Sequence, residues 1–113
     1  MKIRVVERSD EITHVGLEGR LDVVGMHMVD VRFHEATAGM DRPAIVDLTL
    51  LEFIASVGVG LLFSSAKSLG RGGHRMVIVN PCREVKDILA KVGMDRVVSI
   101  VSNIEEAERL LVG

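Results

Sequence analysis

The chain has 113 residues, 48% of them hydrophobic, only 3% aromatic with no Trp or Tyr, and a formal net charge of −2. That length holds one domain around one core, and such a core must be built from Val, Leu, Ile, Met and Ala in helix–sheet layers. Basic and acidic residues are interspersed, so nothing supplies a phosphate-tracking stripe. With few aromatics on which bases could stack, no nucleic-acid partner is expected.

A lone Cys82 excludes an intramolecular disulfide and suits a reducing compartment. The opening MKIRVVERSD alternates charged and apolar residues and contains no hydrophobic signal region. The longest apolar run, Val57–Phe63, falls far short of the roughly 20 residues that span a bilayer. A cytoplasmic protein without membrane insertion is expected.

In chain order, Lys2–Glu7 reads as a strand with Ile3 and Val5 on one face, Ser9-Asp10-Glu11 as a turn, and Ile12–Leu17 as the returning strand of a hairpin. Glu18-Gly19-Arg20-Leu21-Asp22 breaks the alternation. From Val23 to about Ala38 the spacing turns helical: Met26, Val29, Phe33 and Ala36 share a face, with Asp30, Arg32 and Glu35 on others. Gly39 and Asp41-Arg42-Pro43 end that helix.

Ala44–Leu48 reads as a buried strand, Leu50–Ala55 as a connection, and Ser56–Leu69 as a helix stopped by Gly70-Arg71-Gly72-Gly73. Arg75–Val79 is another buried strand. Pro81 opens a helix over Cys82–Lys91, and Val97–Val101 is a short strand. Ser102-Asn103-Ile104-Glu105 has capping-box spacing and starts a last helix, to Leu111. The order predicts a single α/β domain over residues 1–113. Its mixed sheet has four or five strands, an antiparallel hairpin followed by mainly parallel strands, with about four helices largely on one side. Val46, Leu48, Leu61, Leu62, Val77 and Ile78 are expected in a common core.

Ser56 stands where an apolar strand and an apolar helix join. A hydroxyl there meets unpaired backbone N–H groups and the positive end of the helix dipole, so it suits a cap. The same position would stabilise a phosphate carried by that hydroxyl. From the residues alone both readings stand.

Gly58 and Gly60 lack the Gly-Lys-Ser/Thr ending of a P-loop and the full dinucleotide fingerprint. His27 and His34 have no third ligand at metal spacing. Ile54-Ala55-Ser56-Val57-Gly58 lacks the first glycine of a nucleophile elbow. No cofactor, metal or enzymatic activity is expected. Asp22 and Asp47 follow strands, where they either stabilise turns or form a polar rim around Ser56.

Two motifs read with this element order resemble the sulfate transporter and anti-sigma factor antagonist (STAS) domain family. Gly19-Arg20-Leu21-Asp22 is similar to the family's Gly-Glu-Leu-Asp. Asp47-Leu48, followed by Phe53-Ile54-Ala55-Ser56-Val57-Gly58-Val59-Gly60, is similar to its Asp-Leu … Phe-Ile-Asp-Ser-Ser-Gly-Leu-Gly. Ala55 and Val57 depart from that pattern, replacing an acidic and a small polar residue; Ser56 is retained.

The resemblance implies a non-catalytic partner switch of the anti-sigma factor antagonist type. Its partner would be an anti-sigma factor that is itself an ATP-using serine kinase, with release on phosphorylation at Ser56 and a phosphatase reversing it. It further implies a partner surface at Arg20, Asp22, Ala55, Ser56, Val57, Gly58 and Val59. The rival reading is a constitutive accessory or scaffold subunit of a transporter or signalling assembly, with Ser56 only a helix cap. A small-ligand or nucleotide-binding domain using the nearby glycines is a more distant third.

Overall fold

A computed structural model describes residues 1–7 and 11–112. The strands are β1 (Lys2–Glu7), β2 (Thr13–Leu21), β3 (Ala44–Asp47), β4 (Leu51–Ile54), β5 (Met76–Val79) and β6 (Ser99–Val101). The helices are α1 (Val23–Ala36), α2 (Ser56–Arg71), α3 (Arg83–Lys91) and α4 (Ile104–Val112), with short 3-10 turns at Ala38–Met40 and Met94–Arg96. Of the turn expected at Ser9-Asp10-Glu11, Ser9 and Asp10 lie outside the described residues.

β1 and β2 pair antiparallel, from Lys2 opposite Glu18 to Glu7 opposite Thr13. All other pairings are parallel, in the order β1-β2-β3-β5-β6, with β4 joined to β2. The mixed sheet therefore has six strands, not four or five. The extra one is Leu51–Ile54, expected as a connection. Four residues between a turn and a helix carry little periodicity, and only the pairing with the distal half of β2 makes them a strand. β2 serves both neighbours because its register shifts between Gly19 and Arg20, with Gly19 at φ +103°. That is the bulge geometry glycine permits.

Helices α1, α2 and α3 cover one face of the sheet over a core that includes Val15, Leu17, Leu21, Phe33, Val46, Leu48, Leu62 and Ile78. α4 lies on the opposite face, where Ala107 packs with Ile12, Ile45, Val77 and Val79. Val77 therefore does not share a core with Ile78. Adjacent residues of one strand must point to opposite faces, so the two could not have packed together. Leu61 only borders the main core.

The far face of β1 and β2 is left open by α4 and carries charge: Arg4 pairs with Glu18 there, and the Arg4 guanidinium lies over Gly16. α4 begins at a box-like cap set one residue later than its expected position, with Asn103 as the cap and Glu106 reaching back to the residue before it. Asn103 Oδ1 accepts the Glu106 N–H at 2.9 Å, and Glu106 Oε2 accepts the Ser102 N–H at 3.2 Å. Among the described residues no helix is long and apolar enough to cross a membrane.

Candidate functional site

The site is assembled where the bulged end of β2 meets β4. Arg20 pairs with Phe53 and Leu21 with Ile54, and the Leu21 carbonyl accepts the Ala55 N–H at 2.9 Å. The chain leaves both strands at the same end of the sheet, so α1 and α2 start side by side. Their starts differ in chemistry.

Asp22 caps α1 by accepting the Gly25 N–H at 2.8 Å. At α2 the cap position is held by Ala55 in extended conformation, and it has no side-chain oxygen to offer. Ser56 is the first helical residue, is exposed, and its hydroxyl has no hydrogen-bond partner among the described residues. The first intrahelical bond runs from Val59 N–H to Ala55 C=O at 3.0 Å. The N–H groups of Ser56, Val57 and Gly58 thus precede the ladder. No acidic residue stands in the first turn, so the positive end of the α2 dipole is uncompensated by the helix itself. Ser56 is accordingly a first-turn residue and not a cap.

Close approach of α2 to the sheet depends on Gly58. A Cβ there would stand 2.7 Å from Leu21 Cγ and 2.8 Å from the Leu21 carbonyl oxygen. Carbon atoms normally sit about 3.5–4.0 Å apart, so only glycine allows α2 this seat. Beside it, Arg20 spreads over the Phe53 ring at 4.3 Å and lies 3.7 Å from the Asp22 carboxylate. A cation–π contact of this kind holds the guanidinium in place at the rim.

Of the seven residues singled out in the sequence, five reach the surface to some degree: Arg20 and Ser56 are exposed, Asp22, Ala55 and Val57 partly so. Gly58 and Val59 are buried and act from behind, as the packing contact and as core. Asp47 does not join a rim around Ser56. Its Oδ1 accepts the backbone N–H of Thr49 at 3.0 Å and the Thr49 hydroxyl at 2.6 Å, which holds the turn after β3.

Sequence reasoning missed the Arg20–Phe53 contact, which depends on the β2–β4 pairing. It also missed the outer side of α1, where Val23, Val24, Met28 and Val31 are all exposed. The signal was present: Val24, Met28 and Val31 fall at i, i+4 and i+7, a second apolar stripe opposite the core-facing one.

A STAS domain family model matches residues 4–107. This chain belongs to the STAS domain family. No curated protein sequence matches it. Among solved structures, it is similar to an anti-sigma-factor antagonist (STAS) domain protein from Planctomyces limnophilus, at 19% identity and TM-score 0.86 over 98% of each chain. It is also similar to an anti-sigma factor antagonist from Mycobacterium paratuberculosis, at 20% identity and TM-score 0.84 over 99% of this chain and 96% of that one. A third likeness is to the phosphorylated form of SpoIIAA, a Bacillus cell fate determinant, at 19% identity and TM-score 0.70 over 96% of this chain and 99% of that one. At such identities the likeness establishes the STAS fold.

Proposed function

We propose that this STAS domain is an anti-sigma factor antagonist: a non-catalytic regulator that binds an anti-sigma factor serine kinase and is released when Ser56 is phosphorylated. The observation that carries the reading is the state of Ser56 itself. It is exposed at the start of α2, bonded to nothing among the described residues, beside backbone N–H groups that a phosphate could use. A serine that only capped the helix would spend its oxygen on those groups, and this one does not. The antagonists that share the fold support the same role, and SpoIIAA itself exists in a phosphorylated form.

In this reading Arg20, Asp22, Ala55, Ser56 and Val57 form the surface on which the kinase docks. Immediately around Ser56 the unmodified surface is uncharged, with Ala55 and Val57 on either side, so a partner can close over it. A phosphate brings about −1.5 to −2 charges and three strongly hydrated oxygens. Burying them against a partner costs desolvation and space, while leaving them on the free protein costs nothing. A phosphatase acting on the phosphoserine would restore binding. No cofactor enters the cycle on this side; ATP belongs to the kinase.

The test is incubation of the chain with an anti-sigma factor kinase and ATP, followed by phosphopeptide mapping. Phosphate is expected on Ser56. Ser56→Ala should lose the label and keep the complex, and Ser56→Asp should weaken it. Ala55→Asp, which supplies the family's acidic residue, should leave labelling intact or accelerate it. Phosphate on Ser64 instead, or a stable complex that is never phosphorylated, would return the chain to the constitutive accessory reading. Ser65 is fully buried and unavailable without local unfolding.

A further inference from the structure

Helix α1 is apolar on two sides. Gly25, Val29, Phe33 and Ala36 face the core, while Val24, Met28 and Val31 form an outward crest, each more than half exposed. Soluble domains scatter exposed aliphatics singly; a run at i, i+4 and i+7 along one helix is a contiguous patch and marks a contact surface. The seven helical steps from Val24 to Val31 extend about 10 Å, which matches two turns of another helix.

The crest borders an open groove of about 380 Å³ between α1 and α2, lined by Asp30, Val31, His34, Glu35 and Leu61. Among the described residues two carboxylates and the His34 imidazole face it, and no ammonium or guanidinium does. The other flank of the crest, toward β1, has the opposite sign, with Lys2 and Arg32 beside Met28. Charge therefore distinguishes the two sides, and the groove side is acidic.

We propose that the α1–α2 groove is a docking site for a basic amphipathic helix of a partner protein, with aliphatic side chains on Val24, Met28, Val31 and Leu61 and lysine or arginine toward Asp30 and Glu35. Helical shape follows from the site, because a groove between two packed helices accepts a third through ridges at i, i+4 and i+7. A second copy packed with its α1 antiparallel would set the acidic flank against itself; a parallel pair, which would not, is told apart by sedimentation. The groove holds Leu61, on the helix that Ser56 opens, so such an occupant would lie beside the switch without depending on it.

The chain has no Trp or Tyr, so a tryptophan on a probe reports binding without background. The probe is a peptide of about 15 residues with leucine at i, i+3, i+4 and i+7, lysine elsewhere and one tryptophan among the leucines. Its control has glutamate for every lysine. The lysine peptide should bind with a blue-shifted emission, and the glutamate peptide should not. Val31→Ser should weaken binding roughly five- to tenfold, as loss of one aliphatic contact implies. Asp30→Asn with Glu35→Gln should weaken it similarly and remove its salt dependence.

Val97→Ser, at an exposed aliphatic far from α1 in sequence, is the control and should change nothing. Equal binding of both peptides, no binding of either, or indifference to Val31→Ser would overturn the proposal. So would a sedimenting dimer that Val31→Ser dissociates, which would make a second copy the occupant. The titration contains no kinase and no ATP, so its result is independent of the Ser56 reading.

Discussion

Two glycines of α2 lie two residues apart and should respond to alanine in opposite ways. Gly60 is exposed, and a Cβ built there has nothing within 4 Å. Gly60→Ala should therefore collect the intrinsic helix preference of alanine over glycine, about 0.8–1.0 kcal/mol, undiminished by any clash. For a domain of this size that corresponds to a rise in Tm of about 3–6 °C. Gly58→Ala would collect the same preference, but its Cβ would lie 2.7 Å from Leu21 Cγ, 2.9 Å from Leu21 Cδ2 and 2.8 Å from the Leu21 carbonyl oxygen.

Relief at Gly58 is obstructed from two directions. Leu21 is fully buried, and its carbonyl is held by the Ala55 N–H. Overpacking of this kind costs about 1–3 kcal/mol; with neither obstacle able to yield, the upper part of that range applies, about 2–3 kcal/mol, and subtracting the propensity gain of about 1 kcal/mol leaves Gly58→Ala roughly 1–2 kcal/mol less stable than the parent. Urea unfolding followed by far-UV circular dichroism measures both. The slopes should match and only the midpoints move, in opposite directions. Equal stabilisation by the two alanines would refute the reasoning, because it would mean that α2 does not rest on Leu21.

The cap assignments make further predictions. Ser56→Ala should change stability by less than about 0.5 kcal/mol, since no cap bond is lost, and Ser56→Asp should add about 0.3–1 kcal/mol at low salt through the helix dipole; a loss near 1 kcal/mol in the alanine variant would make Ser56 a cap after all. Asp22→Ala should cost about 1 kcal/mol in a thermal or urea melt, whereas Asp22→Asn, which can accept the same Gly25 N–H, should be nearly neutral. Ser65 is fully buried with its hydroxyl unpartnered among the described residues, so Ser65→Ala should raise stability by about 0.5–1.5 kcal/mol through relief of desolvation and better helix propensity; destabilisation would reveal a bond to that hydroxyl.

Much of this arrangement was legible in the sequence wherever the signal was local. Three of the four helices are bounded by residues whose chemistry is short-range: Asp22 caps α1, Asn103 and Glu106 open α4 one residue later than expected, and Gly93 stands in left-handed conformation after α3. The neighbourhood of Arg20, Asp22 and Ser56 was expected from the two family motifs, while the β2–β4 pairing that brings them to one edge was not. What escaped was non-local. β4 exists only through its pairing with β2, and the Arg20–Phe53 contact follows from the bulge at Gly19; the place of Val77 on α4's side, by contrast, was legible from strand alternation and was overlooked. The exposed crest of α1 escaped for another reason. Periodicity identifies an apolar face and cannot say which of two such faces the sheet will cover.

In the function proposed for Ser56, the first turn of α2 would keep fold and switch separate. Leu21 carries the structural load there: it receives the Ala55 N–H, backs Gly58 and pairs with Ile54. Ser56 carries none of it. A phosphate on a serine that held a cap would act on the fold and the interface together, and the two effects could oppose one another. With the cap position given to alanine and the first turn free of acidic side chains, added negative charge is neutral or favourable to the helix and unfavourable only to a partner that must cover it. The whole free energy of modification is then available to shift binding.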